Sequence, residues 1–332
     1  MSDGASEASD GTAVAPLAPL AALHTPLCEL LGVRYPIVQT GMGWVSGSGL
    51  TAATSAAGGF GILAAVTMNV DQLRRAVRAM KDRTSQPFGV NFRPDQPDLA
   101  ERIAFVVGEG VRLVSFAGAP SRDAIARLHD ADVLCMPTVG ARRHAEKMVE
   151  LGADAVIAQG GEGGGHTGPV PTSLLVPQVV DAVAASGRAV PVVGAGGFHD
   201  GRGLVAALAW GAAGVTMGTR FLLTRESTVP DAIKARYVAA TVTDTVVTEA
   251  LDGAPQRVIR TDLVDELERA TVVTRLPRAV ANALAFRKVT GTPLKPPSQG
   301  GAGHAQAPGP HPEPAGHGGQ RPHAHQGRPG RR

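Results

Sequence analysis

Short runs of consecutive apolar residues recur along the chain between Gly- and Pro-containing punctuation. They fall at 36–40 (PIVQT), 60–65 (FGILAA), 87–92 (PFGVNF), 112–117 (RLVSFA), 132–138 (DVLCMPT), 154–160 (DAVIAQG), 190–196 (VPVVGAG) and 214–219 (GVTMGT). Runs without polar alternation are the pattern of strands buried on both faces, as in a parallel sheet. Between them the period lengthens: residues 70–82 (VDQLRRAVRAMKD) and 142–152 (RRHAEKMVELG) set apolar side chains three or four apart, which predicts amphipathic helices. Eight such strands alternating with helices predict an α/β fold, a closed (β/α)8 TIM barrel over residues 25–223, with an open doubly wound sheet as the alternative. After residue 223 the alternation stops, and 224–290 reads as mixed helix and short strand forming a small cap or substrate region over one barrel mouth.

Composition separates the ends from this body. Residues 1–24 are Ala, Ser, Asp and Pro without useful period, and 291–332 are rich in Pro, Gly, His and Arg, so both termini are expected to be disordered. Half of the ten histidines lie in the tail, irregularly spaced, which favours low-complexity sequence over a metal site. The net charge of +3 also traces to the tail: it holds five of the 32 cations and one of the 29 acids, leaving a body of 27 and 28. A nearly neutral body gives no reason to expect a nucleic-acid partner. Two cysteines, Cys28 and Cys135, make neither a disulfide framework nor metal-ligand spacing, and a reducing, cytoplasmic setting is expected. Cys135 falls inside an apolar run and reads as a small buried hydrophobe. Acidic Asp3, Glu7 and Asp10 stand where a signal peptide would carry cations, and no apolar run approaches the roughly 18 residues of a membrane span.

In a barrel, chemistry gathers at the carboxyl ends of the strands and in the loops that follow. Those positions hold QTGMGW, VNFRP, AQGGEGGGHTG, GAGGFHDG and MGTRF. Gly196, Gly197, Gly218 and Thr219 follow the last two strands, where main-chain N–H groups can hold a phosphate; a pair of tight turns is the bland alternative. GMGWVS and GAGGFH both stop short of G-x-G-x-x-G and the P-loop pattern is absent, so a Rossmann nucleotide site is not expected. His166 stands in a loop with six glycines among the nine residues 160–168, which can lie flat against a planar ligand and still present one ring. An imidazole exchanges protons near neutral pH, although a histidine that only caps the loop is the competing reading. Glu162 reads as a solvated loop carboxylate, with polarising or orienting a partner as its alternative, Asp200 as a helix N-cap, and Trp44 as a residue that borders a ligand or plugs the mouth.

Taken together, YPIVQTGMGWVSGSGLTAATSAAGGFGILAA, PFGVNF, AQGGEGGGHTG, PVVGAGGF and GAAGVTMGTRFLLTRES resemble the flavin-dependent nitronate monooxygenase family, which also contains the FMN-dependent enoyl reductases. The likeness spans about residues 25–290. It implies one non-covalent FMN, with Gly41 and Met42 under the ring system and Asn91 and Gln159 hydrogen-bonded around it. Gly196, Gly197, Gly218 and Thr219 would hold the phosphate, and Gly164 of the glycine run joins the cofactor-binding set. His166 matches the family's active-site histidine, and no metal is implied. The activity implied is oxidation of alkyl nitronates with O2 by an oxidoreductase. The alternatives are NADH- or NADPH-dependent reduction of an enoyl- or oxo-acyl thioester, as in acyl-CoA or steroid-ring breakdown, and a truncated flavin-binding remnant.

Thr40-Gly41-Met42-Gly43-Trp44 departs from the Ala-Pro-Met of many nitronate monooxygenases toward the enoyl reductases. The expected partner is a small-molecule substrate; a homodimer is compatible with the sequence, which does not decide the oligomeric state. Relatives continue with further helices where this chain has the residue 292–332 tail, whose composition matches out-of-frame translation of a GC-rich gene.

Overall fold

The computed structural model describes residues 23–269. Most of the expected leader, the last part of the cap region and the whole tail, with the out-of-frame reading attached to it, lie outside those residues.

Each apolar run is a strand: β1 (Ile37–Gln39), β2 (Phe60–Ala64), β3 (Phe88–Phe92), β4 (Leu113–Phe116), β5 (Leu134–Val139), β6 (Val156–Gln159), β8 (Val192–Ala195) and β9 (Gly214–Met217). They close in the order β1-β2-β3-β4-β5-β6-β8-β9, and β1 pairs in parallel with β9, so the barrel has no open edge and the doubly wound alternative is excluded. A very short strand, β7 (Gly165–His166), lies outside the barrel.

The helices cover the barrel: α2 (Ser48–Ala56), α3 (Val70–Arg83), α4 (Leu99–Gly108), α5 (Arg122–His129), α6 (Arg142–Leu151), α7 (Thr172–Ala185) and α8 (Gly201–Ala209). Local chemistry fixes their ends. The Asn69 side chain accepts from the Gln72 N–H while Gln72 accepts in return from the Asn69 N–H, a reciprocal cap that starts α3. Asp200 accepts from the N–H groups of Arg202 and Gly203 and opens α8, as its position in the sequence suggests. On α3 the buried residues are Leu73, Val77 and Met80, three or four apart.

Strand alternation then sorts the core into two parts. Val90, Phe92, Val114 and Phe116 point outward beneath helices, with the two phenylalanine rings meeting edge to face at 6.5 Å. Val38, Phe60, Ile62, Leu113, Met136, Ile157 and Val193 point inward and fill the barrel together with Leu27 and Leu31 of α1 (Pro26–Leu31). This first helix closes the amino-terminal end: Thr25 Oγ1 donates to the carbonyl of Ala213 at the foot of β9, and Arg112 at the foot of β4 donates to Leu30 O.

After α9 (Thr219–Leu222) come α10 (Asp231–Ala239), a 3-10 turn, an antiparallel hairpin of β10 (Thr245–Thr248) and β11 (Gln256–Ile259), and α11 (Asp262–Arg269). The mixed helix and strand read after residue 223 is therefore present as far as the described residues reach. β11 pairs with β7, so the hairpin is bonded to the glycine-rich loop after β6.

Candidate functional site

At the carboxyl end of several inward-facing rows the side chains become polar. Asn91 of β3, Ser115 of β4, Gln159 of β6 and Thr216 of β9 sit beyond the apolar filling, toward the carboxyl rim. Asn91 Nδ2 donates to Ser115 Oγ at 2.9 Å, which fixes the amide's direction. Thr216 Oγ1 is buried and, among the described residues, has no hydrogen-bond partner. A buried hydroxyl in that condition costs free energy unless something else meets it.

Above this layer the sequence-predicted residues gather in two neighbouring groups. In the first, Gly41 is pressed against Asn91, so closely that a Cβ on Gly41 would lie 2.5 Å from Asn91 Cβ. Gly218 stands over Met42, where a Cβ would lie 3.4 Å from the Met42 sulfur. In the second, Gly196 approaches the loop after β6: a Cβ there would come within 2.7 Å of Thr172 Oγ1 and 3.0 Å of Gly163 N. Gln159 Nε2 donates to the carbonyl of His166 at 2.7 Å, Gly197 lies near Glu162, and Gly164 faces open space. Thr219 begins α9, a single turn in which the N–H groups of Phe221 and Leu222 both donate to Gly218 O. All of these positions lie at the same end of the barrel.

His166 is on β7, with its side chain 64 % exposed and Nε2 2.9 Å from Asp252 Oδ2 in the loop between β10 and β11. Nothing in the sequence pointed to Asp252, since 86 residues separate the pair. Burial works to raise the Asp252 pKa, but hydrogen bonds from His166, Gln256 and the Ala254 N–H outweigh it and hold the carboxyl down at about 2.

Glu162 is an exposed loop carboxylate, as read from the sequence, and its Oε2 also accepts from the Thr172 N–H at 2.8 Å and from Thr172 Oγ1 at 2.7 Å, tying the glycine loop to the start of α7. Partial burial pushes its pKa up, yet the Thr172 donors and nearby Arg257 leave it below the usual carboxylate value. Trp44 does not plug the mouth. It is 66 % exposed, at φ +60°, and borders a surface cavity of about 440 Å³ with Thr67, Met68 and Arg75. Cys135 is buried as expected, and burial, with Asp154 nearby, drives its thiol pKa far up, so it is no nucleophile. Among the described residues no cluster of His, Cys, Asp and Glu could hold a metal ion, and no helix is long and apolar enough to cross a membrane.

A closed (β/α)8 barrel with a polar upper layer and glycine-lined loops on one rim is the architecture of an enzyme that works at the carboxyl ends of its strands. A family model described as nitronate monooxygenase matches residues 24–292, and the chain belongs to that family of oxidoreductases. Over 268 residues it is 55 % identical to (3aS,4S,5R,7aS)-5-hydroxy-7a-methyl-1-oxo-octahydro-1H-indene-4-carboxyl-CoA dehydrogenase of Mycobacterium tuberculosis, covering 81 % of this chain and 75 % of the relative. Among solved structures, FabK from Thermotoga maritima is 36 % identical with a TM-score of 0.72, covering 82 % of this chain and 86 % of that one. Nitroalkane oxidase from Streptomyces ansochromogenes is 31 % identical with a TM-score of 0.67, covering 79 % of this chain and 86 % of that one.

Proposed function

We propose that this chain is an FMN-dependent oxidoreductase acting on the coenzyme A thioester of a fused-ring carboxylic acid, with His166 moving a proton at the substrate. The substrate class is carried by one comparison: 55 % identity to the indene-carboxyl-CoA dehydrogenase, against 31 % to a Staphylococcus aureus relative named for nitronate monooxygenase activity.

The rim fits a flavin mononucleotide on three counts. Among the described residues the Thr216 hydroxyl is buried without a partner, Gly41 and Gly218 keep the floor free of side chains, and Gly196 and Gly197 present bare main chain at φ +104° and +77°. Gly41, Met42, Asn91, Gln159 and Gly164 would then meet the ring system, and Gly196, Gly197, Gly218 and Thr219 the phosphate. When bound, FMN would supply the hydride acceptor or donor that no side chain can provide. The chain's own residues do the rest. His166 takes the proton from the carbon next to the thioester carbonyl while hydride leaves the adjoining carbon, and Gln159, bonded to the His166 carbonyl, holds that loop over the polar layer. Turnover in that direction would also need an electron acceptor such as NAD+, NADP+ or O2, whereas reduction would need NADH or NADPH as the electron source.

Nitronate oxidation is the second reading, favoured by the family itself and by the likeness to nitroalkane oxidase. Anaerobic stopped-flow mixing of FMN-loaded protein separates the two. Bleaching of the flavin absorbance by a hydroxy-oxo-hydrindane carboxyl-CoA is expected. Bleaching by an alkyl nitronate, with none by the thioester, would reject the leading proposal.

A further inference from the structure

We infer that Asp252 is a positioning residue that holds the His166 imidazole in a single tautomer, with hydrogen on Nε2, and so makes Nδ1 the nitrogen that exchanges protons with substrate. Its catalytic half rests on the role proposed for His166; its structural half does not.

The donors and acceptors around the His166 ring decide its tautomer. A carboxylate can only accept, so the 2.9 Å contact between Asp252 Oδ2 and His166 Nε2 requires hydrogen on Nε2. A neutral imidazole carries one ring hydrogen, and Nδ1 is left with a bare lone pair. Asp252 is ionised near neutral pH, because its pKa is held at about 2. Among the described residues nothing occupies Nδ1: the hydrogen bonds of His166 run from Nε2 to Asp252 and to its carbonyl from Gln159.

The carboxylate is itself held on both sides. Its Oδ1 accepts from the Ala254 N–H at 3.1 Å, which fixes the side chain within the β10–β11 loop. That loop is fixed relative to His166 by the Gln256–His166 pairing of β11 with β7, by the Thr167 N–H donating to Pro255 O at 3.0 Å, and by Arg257 Nε donating to Gly161 O at 2.9 Å. Ring and carboxylate are thus presented to each other by paired main chain, so the ring's orientation does not depend on a bound ligand. A carboxylate that orients a histidine and sets its tautomer is the arrangement by which a Ser-His-Asp triad keeps one ring nitrogen free to act as a base.

The test combines a spectroscopic and a kinetic measurement. Nitrogen-15 correlation spectra of the full chain, recorded at roughly pH 8.5 where imidazoles are neutral, should show His166 as the Nε2–H tautomer, its signals assigned by their loss in His166→Gln. In Asp252→Asn the amide can donate to Nε2, and the ring should move to the Nδ1–H form. With the substrate that the wild type turns over, kcat of Asp252→Asn should fall about 100-fold or more while KM changes by less than about three-fold, because general-base catalysis is lost and binding is not. Asp252→Ala, which cannot donate, should keep more activity than Asp252→Asn; a purely structural carboxylate would give the reverse order. A wild-type ring in the Nδ1–H form, or an unchanged tautomer in Asp252→Asn, overturns the inference whatever the substrate proves to be. Correct tautomers with unchanged kcat would leave Asp252 placed as described and remove His166 from the chemistry.

Discussion

At the residue scale, Gly196 is the position where backbone and neighbours leave least choice. Its φ of +104° lies in the left-handed half of conformational space, and a side chain would meet Gly163 N at 3.0 Å and Gly160 O at 3.2 Å, main-chain atoms that cannot turn aside. Gly196→Ala is therefore expected to destabilise the protein by about 1–3 kcal/mol, measured by denaturant unfolding, and to weaken FMN binding in a fluorescence titration. His166→Gln should lower kcat by about 100-fold or more with little change in FMN affinity; loss of flavin instead would mark the histidine as a cofactor ligand. Asp252 makes a pH-dependent contribution whose sign is fixed by its lowered pKa. Its stabilising effect is complete above the unfolded-state value of 3.8 and is lost as pH falls toward about 2. Melting temperatures followed from pH 4 to pH 2 should thus fall more steeply for wild type than for Asp252→Asn, and parallel curves would contradict the assignment. The glycine run and its lone imidazole mark this rim in the sequence because both are unusual residue choices at a strand end. The Asp252–His166 and Glu162–Thr172 contacts are not legible there, since each is defined by a partner that only folding brings near.

Among the elements, α4 carries a feature that its sequence conceals. Arg102 is 2 % exposed, and its guanidinium donates to both oxygens of Asp98 and to the carbonyls of Ala65 and Met68, in the loop that follows β2. The Asp98–Arg102 spacing looks like an ordinary surface pair four residues apart on a helix. In the fold it is a clamp on a rim loop. Arg102→Met removes four hydrogen bonds and leaves two carbonyls and a carboxylate to find other partners, so a loss of about 3–5 kcal/mol is expected. A shift in the chemical unfolding midpoint near zero would show the clamp to be dispensable. The barrel strands and most helices are legible from periodicity because burial on both faces forces continuous apolar runs, and burial on one side forces a stripe. β7 is not. Gly165 and His166 have no tendency to form a strand, and they become one only because β11 lies beside them.

For the whole molecule, closure of the sheet determines where ligand binding can act on stability. A ligand that joins loops after β1, β3, β6, β8 and β9 links most of the barrel circumference, so FMN should raise the stability of the entire barrel rather than of one loop. At a free concentration one hundred times its Kd the gain is about 2.7 kcal/mol, readable as a thermal shift. Riboflavin, which lacks the phosphate, should give less at equal concentration. Equal shifts would remove the phosphate role assigned to Gly196, Gly197, Gly218 and Thr219. The hairpin adds a consequence in time. Ribosomes make the chain from its amino end, so every stave of the barrel through Met217 has been synthesised before Asp252, Pro255 and Gln256 emerge. The nascent protein can round up its sheet while the imidazole still swings without a brace, and the His166–Asp252 contact can form only after the last stave has been made.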